Sequence, residues 1–213
     1  MAQKIAVIDY GMGNLRSVSK AVEHVAGDAQ VRVTDDPAYI AAADRVVFPG
    51  QGAARDCMEA IGEHHLKRAI LGAAASKPFL GICMGLQVLL GRSEENGGTD
   101  LLGLFAGHVR RFDGLAVGDN GLPLKIPHMG WSEVRQTRAH PLWDGIADNS
   151  RFYFVHSYRV IPEDVSLIAA STDYGVRFAS AIAHDNLFAT QFHPEKSADT
   201  GLRLLQNFVN WEI

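Results

Sequence analysis

The sequence has little cysteine, no long hydrophobic run and no excess of positive charge, and each of these absences excludes a class of protein. Its 213 residues include two cysteines, Cys57 and Cys83, and such a lone pair favours free thiols over a disulfide framework. No apolar run approaches the roughly 18 residues of a membrane span, and residues 1–4 lead straight into a strand pattern, not a signal-peptide core. We therefore expect a cytoplasmic protein without a membrane partner.

Charge and composition indicate a globular protein that does not bind nucleic acid. The formal net charge is -4, and acidic and basic residues are interspersed instead of forming the basic stripe that DNA or RNA binding requires. Hydrophobic residues make up 47% and charged residues 21% of the chain, which is enough apolar surface for a real core. Because no segment has the composition of a linker, we expect one domain over residues 1–213.

Strand and helix patterns alternate through the first part of the chain. An apolar run at residues 5–8 ends at Asp9-Tyr10-Gly11, and a helix pattern begins near Asn14. The same patterns predict strands at residues 31–34, 45–48 and 79–82, and helices at residues 38–42 and 58–75. Such alternation predicts an α/β fold with an open, mostly parallel central sheet flanked by helices.

The second half of the chain is richer in strands. A polar, glycine-rich loop is predicted at residues 94–100. Strand patterns follow at residues 109–112, 133–135, 152–160, 167–171, 179–183 and 188–192, with Asp185-Asn186 as a hairpin turn. Leu202, Leu205 and Val209 at helical spacing predict a final helix that packs on the sheet. We expect these later strands to add antiparallel neighbours to the sheet.

Cys83 lies where a reactive nucleophile is expected. It directly follows an apolar strand, has Gly81 and Gly85 on either side, and is followed by Leu86 and further apolar residues at the start of a helix. A sharp strand-to-helix turn of this kind exposes the side chain at the carboxyl edge of the sheet, and small neighbours let the backbone turn. Most free cysteines are small buried hydrophobes, but the glycine pattern favours a nucleophile here.

A cysteine nucleophile needs a base and a group that orients the base. His193 stands at the end of a predicted strand, and Pro194 rigidifies the step to Glu195. Imidazole and carboxylate can then lie side by side, so that Glu195 fixes the tautomer of His193. A surface histidine in a turn would be the ordinary interpretation of one histidine among nine, and only the combination with the cysteine turn favours catalysis.

A third segment could stabilise an oxyanion. Phe48-Pro49-Gly50-Gln51-Gly52 follows a buried strand, and loops at this edge of a parallel sheet face the same crevice as the cysteine turn. The backbone N–H groups of Gln51 and Met84 could then bind negative charge that develops on an acyl carbon. Taken alone, the loop would be an ordinary tight turn.

Other motifs are weaker. Gly11-Met12-Gly13 resembles the start of a dinucleotide-binding fingerprint, but Arg16 occupies the third glycine position. No metal-ligand spacing occurs, so we expect neither a metal nor a cofactor. Cys57 lies in an ordinary helical pattern and is interpreted as structural, and His64-His65 as a solvated helix end.

Taken together, these segments are similar to class I, triad-type glutamine amidotransferases over essentially the whole chain. The more specific resemblance is to the glutaminase subunits of imidazole glycerol phosphate synthase in histidine biosynthesis. It is carried by four stretches: Ile8-Asp9-Tyr10-Gly11-Met12-Gly13-Asn14-Leu15, His128-Met129-Gly130-Trp131, Phe154-Val155-His156-Ser157-Tyr158 and Gln191-Phe192-His193-Pro194-Glu195-Lys196-Ser197. The implied fold is flavodoxin-like.

The resemblance implies an activity and a set of residues. Cys83 would attack the side-chain amide of glutamine, with His193 and Glu195 as its partners, and the ammonia would pass to a cyclase (β/α)8-barrel subunit in a heterodimer. Four positions match glutamine contacts, namely Gly52, Gln87, Ser157 and Tyr158. Four others match the face that docks the barrel, namely Asn14, Trp131, Tyr153 and Lys196. For Trp131, a place in the core would be the default interpretation.

The sequence departs from the family at two positions. Ser132 stands where Asn is frequent, which affects a polar contact at the interface, and Gln51 stands where a small aliphatic residue is common. Two alternatives remain open on the sequence alone. One is a glutaminase that serves another ammonia-using synthase, such as one for anthranilate or pyridoxal phosphate, and the other is a non-catalytic module on the same fold.

Overall fold

Strands and helices alternate over the first part of the chain in the computed structural model, which describes residues 2–113, 121 and 123–213. The elements are β1 (Lys4–Ile8), α1 (Leu15–Val25), β2 (Gln30–Thr34), α2 (Pro37–Ala42), β3 (Arg45–Gly50), α3 (Ala54–Glu63), α4 (Lys67–Ala74), β4 (Phe79–Cys83) and α5 (Met84–Gln87). Asn14 caps α1, since its side-chain oxygen accepts from the N–H of Ser17 at 3.4 Å.

Strands dominate the rest. They are β5 (Arg92–Ser93), β6 (Thr99–Asp100), β7 (Gly107–Arg111), β8 (His128–Gln136), β9 (Ser150–His156), β10 (Tyr158–Pro162), β11 (Ile168–Asp173), β12 (Arg177–His184) and β13 (Leu187–Thr190), followed by α6 (Ala198–Asn210). Short 3₁₀ turns span Glu95–Gly97, Pro141–Trp143, Val165–Leu167 and Pro194–Lys196.

The main sheet is mixed, in the order β2-β1-β3-β4-β13-β12-β11-β8-β9. Strands β2, β1, β3, β4 and β13 pair in parallel, and the remaining neighbours are antiparallel. A smaller sheet has the order β10-β7-β5-β6. The α/β fold class predicted from the sequence is confirmed.

Apolar residues cover both faces of the main sheet. Alternate residues of β1 belong to different clusters: Ile8 packs with side chains of α2 to α5, whereas Val7 packs with those of α1 and α6. This follows from the two-residue repeat of a strand, and it explains why the inner strands are nearly continuous hydrophobic runs.

Four predicted elements differ from the structure. The helix predicted at residues 58–75 is two helices, α3 and α4, because the helical backbone is interrupted at His65, which has a φ of 55°. The strand predicted at residues 152–160 is two strands, β9 and β10, which belong to different sheets. The helix after Cys83 ends at Gln87, and the loop predicted at residues 94–100 contains β6.

The topology brings three chain segments to one edge of the sheet. Strands β3, β4 and β13 are parallel neighbours, so their carboxyl ends point the same way. Cys83 is the last residue of β4, and Gln51 and His193 lie in the segments that follow β3 and β13. The chain also passes from the large sheet to the small one at Ser157, between β9 and β10.

Candidate active site

Cys83 occupies a strained turn between β4 and α5. Its φ is 57° and its ψ is -107°, a conformation that residues with a Cβ rarely adopt. The turn depends on its small neighbours: a Cβ on Gly85 would lie 1.8 Å from the carbonyl oxygen of Phe48, and one on Gly81 would lie 2.8 Å from that of Gly85. Glycine is therefore required for the turn to pack against β3, as the sequence pattern indicates.

Replacement of Gly85 by alanine is expected to destabilise the fold. Because the new methyl group would collide with backbone and not with a movable side chain, we expect the free energy of unfolding to fall by about 3 kcal/mol in urea titrations. Gly72→Ala is the matched control, since Gly72 lies in a helix and a Cβ there would meet nothing within 4 Å. Equal stability of the two variants would contradict the packing argument.

His193 and Glu195 form a buried pair beside this turn. His193 Nδ1 lies 2.8 Å from Glu195 Oε1, and the two side chains are 2% and 1% exposed. Since a carboxylate only accepts, Nδ1 carries the proton and Nε2 is left free. Within the described residues, Nε2 of His193 is buried without a hydrogen-bond partner. The imidazole is thus oriented with its free nitrogen available for proton transfer.

Two hydrogen bonds hold the backbone of His193 in place. Its N–H donates to the carbonyl oxygen of Tyr153 at 2.9 Å, and its own carbonyl accepts from Ser197 Oγ at 2.6 Å. Burial lowers the pKa of His193, but electrostatic interactions and hydrogen bonds with Cys83 and Glu195 oppose this effect and raise the pKa to about 10. His193 is therefore protonated at neutral pH, which lets the imidazolium donate a proton.

Cys83 and His193 line one cavity of about 400 Å³. All the residues predicted as oxyanion donors or glutamine contacts lie on its wall, together with Lys196 from the predicted interface. The described lining residues are Gln51, Gly52, Cys83, Met84, Gln87, Glu95, Pro127, Val155, His156, Ser157, Tyr158, His193 and Lys196. The structure thus brings the sequence-predicted groups together at one edge of the sheet.

The two loops that carry the predicted oxyanion donors touch. Gly50 and Cys83 are paired across β3 and β4, and a Cβ on Gly50 would lie 2.8 Å from Met84 Cβ. The backbone of Gln51 is therefore held close to the amino terminus of α5, where the Met84 N–H is located.

Two polar side chains at the site were not assigned a role from the sequence. Gln191 Nε2 lies 3.8 Å from Cys83 Sγ, and Gln191 Oε1 accepts from Gln87 Nε2 at 3.0 Å. Glu95 lines the cavity, and its Oε2 accepts from the N–H of Ala54 at 2.7 Å. The position of Gln191, two residues before His193, was the only sequence signal, and nothing local distinguished Glu95.

Trp131 and Tyr153 form an aromatic pair on β8 and β9. They are opposite each other in the ladder, and their ring centroids are 6.2 Å apart. Trp131 is 43% exposed and the nearby Met129 is 61% exposed, so Trp131 is not a core residue. Exposed large apolar side chains of this kind suit a contact surface.

Cys57 is also a free, buried cysteine, but its surroundings differ from those of Cys83. It is fully buried in α3, and its thiol lies 3.4 Å from the carbonyl oxygen of Gln51, to which it donates. Burial raises its pKa to about 11, so it is a thiol at neutral pH.

His64 and His65 are exposed at the end of α3. In the part of the chain that the structure describes, no helix is long and apolar enough to cross a bilayer.

No group of His, Cys, Asp or Glu side chains in the described ranges 2–113 and 123–213 is arranged as a metal site requires. The cavity instead combines the thiol of Cys83 with an imidazole that the Glu195 carboxylate orients. Thioester formation by such a pair needs no electrophile other than the acyl carbon of a substrate.

Two buried histidines and one half-buried histidine are expected to make the fold sensitive to acid. Burial lowers the pKa of His128 and His140 to about 4 and that of His156 to about 3, from 6.5. Because these pKa values are depressed on folding, their contribution to stability is complete above pH 6.5 and is lost as the pH falls towards 4. We expect the free energy of unfolding to drop by about 1 kcal/mol per pH unit for each histidine in this window. In urea titrations, His140→Asn should flatten the slope by that amount; an unchanged slope would contradict the assignment.

Comparison with known proteins agrees with this fold. Residues 6–211 match the family model for class-I glutamine amidotransferases. Two solved structures share the fold: PurLQS from Thermotoga maritima has a TM-score of 0.70 and 16% identity over 99% of each chain. The glutaminase domain of Trypanosoma brucei CTPS with bound acivicin has a TM-score of 0.64 and 16% identity, over 100% of this chain and 96% of that one.

The chain belongs to the class-I glutamine amidotransferase family. Its relatives include the imidazole glycerol phosphate synthase subunit HisH of Dechloromonas aromatica, 61% identical over 211 residues, which are 99% of this chain and 97% of the relative. The subunit of the same name from Aromatoleum aromaticum is 59% identical over 208 residues, 97% and 98% of the two chains. Within the class, the chain is therefore a member of the HisH glutaminase subunits, which act in histidine biosynthesis, and a subunit implies a partner.

Proposed function

We propose that this chain hydrolyses glutamine through a thioester on Cys83 and delivers the ammonia to a cyclase subunit. The observation that carries the proposal is the cavity in which the strained Cys83 and the Glu195-oriented His193 lie together. The Cys83 thiolate attacks the side-chain amide carbon of glutamine, and the N–H groups of Gln51 and Met84 stabilise the oxyanion.

His193 then transfers protons in both half-reactions. As the imidazolium, it protonates the leaving nitrogen, so that the C–N bond breaks and ammonia departs from the glutamyl thioester. The neutral imidazole next takes a proton from water, which attacks the thioester carbon, and the collapse of this adduct releases glutamate and restores the thiolate. Glu195 holds Nδ1–H throughout and stabilises the imidazolium.

Glutamine binding is assigned to the remaining wall of the cavity. Gly52, Gln87, Ser157 and Tyr158 lie there and supply polar backbone and side-chain groups. The Glu95 carboxylate on the same wall complements the α-ammonium group of glutamine. A site of this kind rejects analogues that leave its buried polar groups unpaired.

The partner is proposed to be a (β/α)8-barrel cyclase that forms a cytoplasmic heterodimer with this chain. Asn14, Trp131, Tyr153 and Lys196 are assigned to the contact, and the exposure of Trp131 beside Tyr153 supports it. The cyclase would use the ammonia to convert phosphoribulosyl-formimino-aminoimidazole carboxamide ribonucleotide into imidazole glycerol phosphate and an aminoimidazole carboxamide ribotide. No cofactor is required of this chain.

The isolated chain is expected to hydrolyse glutamine only weakly. In the family, a nucleotide bound to the partner completes the oxyanion hole, and one missing oxyanion donor costs about 10²- to 10³-fold in turnover. A glutaminase assay with and without the cyclase subunit and its nucleotide ligand tests the proposal. Activation by the nucleotide-loaded cyclase, and not by an unrelated synthase subunit, is expected; full activity of the chain alone would contradict it.

A further inference from the structure

Two buried histidines beside the cavity have no part in the chemistry above. His128 is the first residue of β8 and His156 the last residue of β9, and they are opposite each other in the ladder. They are 1% and 6% exposed. Aromatic rings surround them: Phe112, Phe154, Tyr174 and Phe178. A buried imidazole in such surroundings must have its nitrogen atoms satisfied.

The contacts of this pair permit one arrangement of protons. His156 Nδ1 lies 2.8 Å from the carbonyl oxygen of Tyr158, which can only accept, so Nδ1 carries the proton. In a neutral ring Nε2 then accepts, and it lies 3.0 Å from His128 Nδ1, which must donate. His128 Nε2 accepts in turn from Ser132 Oγ at 2.8 Å. Burial, which lowers the pKa of both histidines, favours these neutral rings.

The far end of this chain of hydrogen bonds lies in the glutamine cavity. The Tyr158 carbonyl oxygen also accepts from Gln87 Nε2 at 3.2 Å. Gln87 donates to Gln191, whose own amide nitrogen lies 3.8 Å from Cys83 Sγ. A path of hydrogen bonds through His128, His156 and the Tyr158 carbonyl therefore connects Ser132, next to the exposed Trp131 on β8, with the site of Cys83.

We propose that His128 and His156 are positioning residues, which orient the Tyr158 carbonyl and through it the Gln87 amide for glutamine binding. The inference rests on the proposed function. This network also gives Ser132 a role, because the Ser132 hydroxyl donates the hydrogen bond at the end of the network nearest the surface. The network links the surface assigned to the partner with the site of hydrolysis.

Glutamine kinetics of the complex with the cyclase subunit and its nucleotide test the inference. We expect His156→Leu to raise the KM for glutamine about tenfold, with a smaller effect on kcat. His156→Asn should restore KM to within about threefold, because the asparagine amide can donate from the position of Nδ1. A role in folding alone would lower kcat through loss of native protein and leave KM unchanged.

The matched control is His140→Leu, which also removes an imidazole that is largely out of solvent. His140 packs against Phe188 and Trp211, outside the cavity. Its KM should equal that of the wild type. An active wild-type complex in which His156→Leu keeps its KM, or in which His156→Asn behaves like His156→Leu, would overturn the inference alone. A wild-type complex without glutaminase activity would overturn the proposed function itself.

A second measurement needs no variant. Nitrogen-15 NMR of the imidazoles in the wild-type chain should show His128 and His156 neutral at pH 7, both protonated on Nδ1. This tautomer is fixed by the hydrogen bonds, and the reverse assignment would leave the Tyr158 carbonyl facing an acceptor. A signal for the Nε2–H tautomer, or for a charged ring at either position, would overturn the inference.

Discussion

Cys83→Ala is expected to abolish glutamine-dependent synthesis by the complex while ammonia-dependent synthesis survives. The thiolate is the only group at the turn that can form the acyl intermediate, and loss of the nucleophile in comparable triads costs about 10⁴-fold or more in turnover. On the proposed function, the partner subunit would still accept free ammonia, because this chain would supply only its nitrogen source. The measurement is the rate of product formation with glutamine or with ammonium salt at alkaline pH.

The chain itself provides the control. Cys57→Ala removes the second of the two cysteines, which is buried in α3 and donates a weak hydrogen bond to the Gln51 carbonyl. We expect it to lose less than about tenfold in glutamine-dependent activity, the usual effect of one hydrogen bond. If Cys83→Ala retained normal turnover while Cys57→Ala lost it, the assignment of the nucleophile would be wrong.

Glu195→Gln is expected to lower kcat by about 10³- to 10⁴-fold with little change in KM for glutamine. The amide keeps the shape of the carboxylate, but it removes the charge that stabilises the imidazolium and can donate to Nδ1, which favours the wrong tautomer. Since burial alone lowers the pKa of His193 and Glu195 is one of the groups that oppose it, the pKa of His193 should also fall. Imidazole NMR and kcat measurements on the complex check both effects.

Glu63→Gln serves as a comparison, because this carboxylate lies exposed at the end of α3 and outside the cavity. Its kinetics should match those of the wild type. A Glu195→Gln variant with an unchanged kcat would show that the buried ion pair is structural and has no part in proton transfer.

The central turn was predictable because its determinants are local. A buried strand, two glycines around Cys83 and the start of a helix are adjacent in sequence, and the collisions that a Cβ would make at Gly81 and Gly85 explain the pattern. The parallel half of the sheet was predictable for the same reason, since strands buried on both faces are continuous apolar runs.

The predicted element bounds that were wrong depend on information that a local sequence pattern does not contain. Aromatic and β-branched residues that favour strands recur through residues 152–160, yet the chain leaves one sheet for the other at Ser157. The break at His65 lies in a segment whose apolar periodicity suits one helix. In both cases tertiary packing, and not propensity, determines where an element ends.

The polar network could not be predicted from the sequence, for a further reason. Gln191 and Cys83 are 108 positions apart, and His128 and His156 are 28 apart. Each residue taken alone has an ordinary structural interpretation, and only their meeting in the folded chain gives them a shared role. Sequence could indicate the triad because Glu195 is two residues from His193, but it could not indicate what orients Gln87.

The measurement that tests the central claim most directly is covalent labelling of the nucleophile. The complex is treated with an electrophilic analogue of glutamine, digested and analysed by mass spectrometry, with excess glutamine in a parallel sample. We expect one adduct, on the peptide that contains Cys83, and protection of that peptide by glutamine. Labelling of Cys57 or another residue, with Cys83 left free while glutaminase activity is lost, would contradict the assignment of Cys83 as the catalytic thiol.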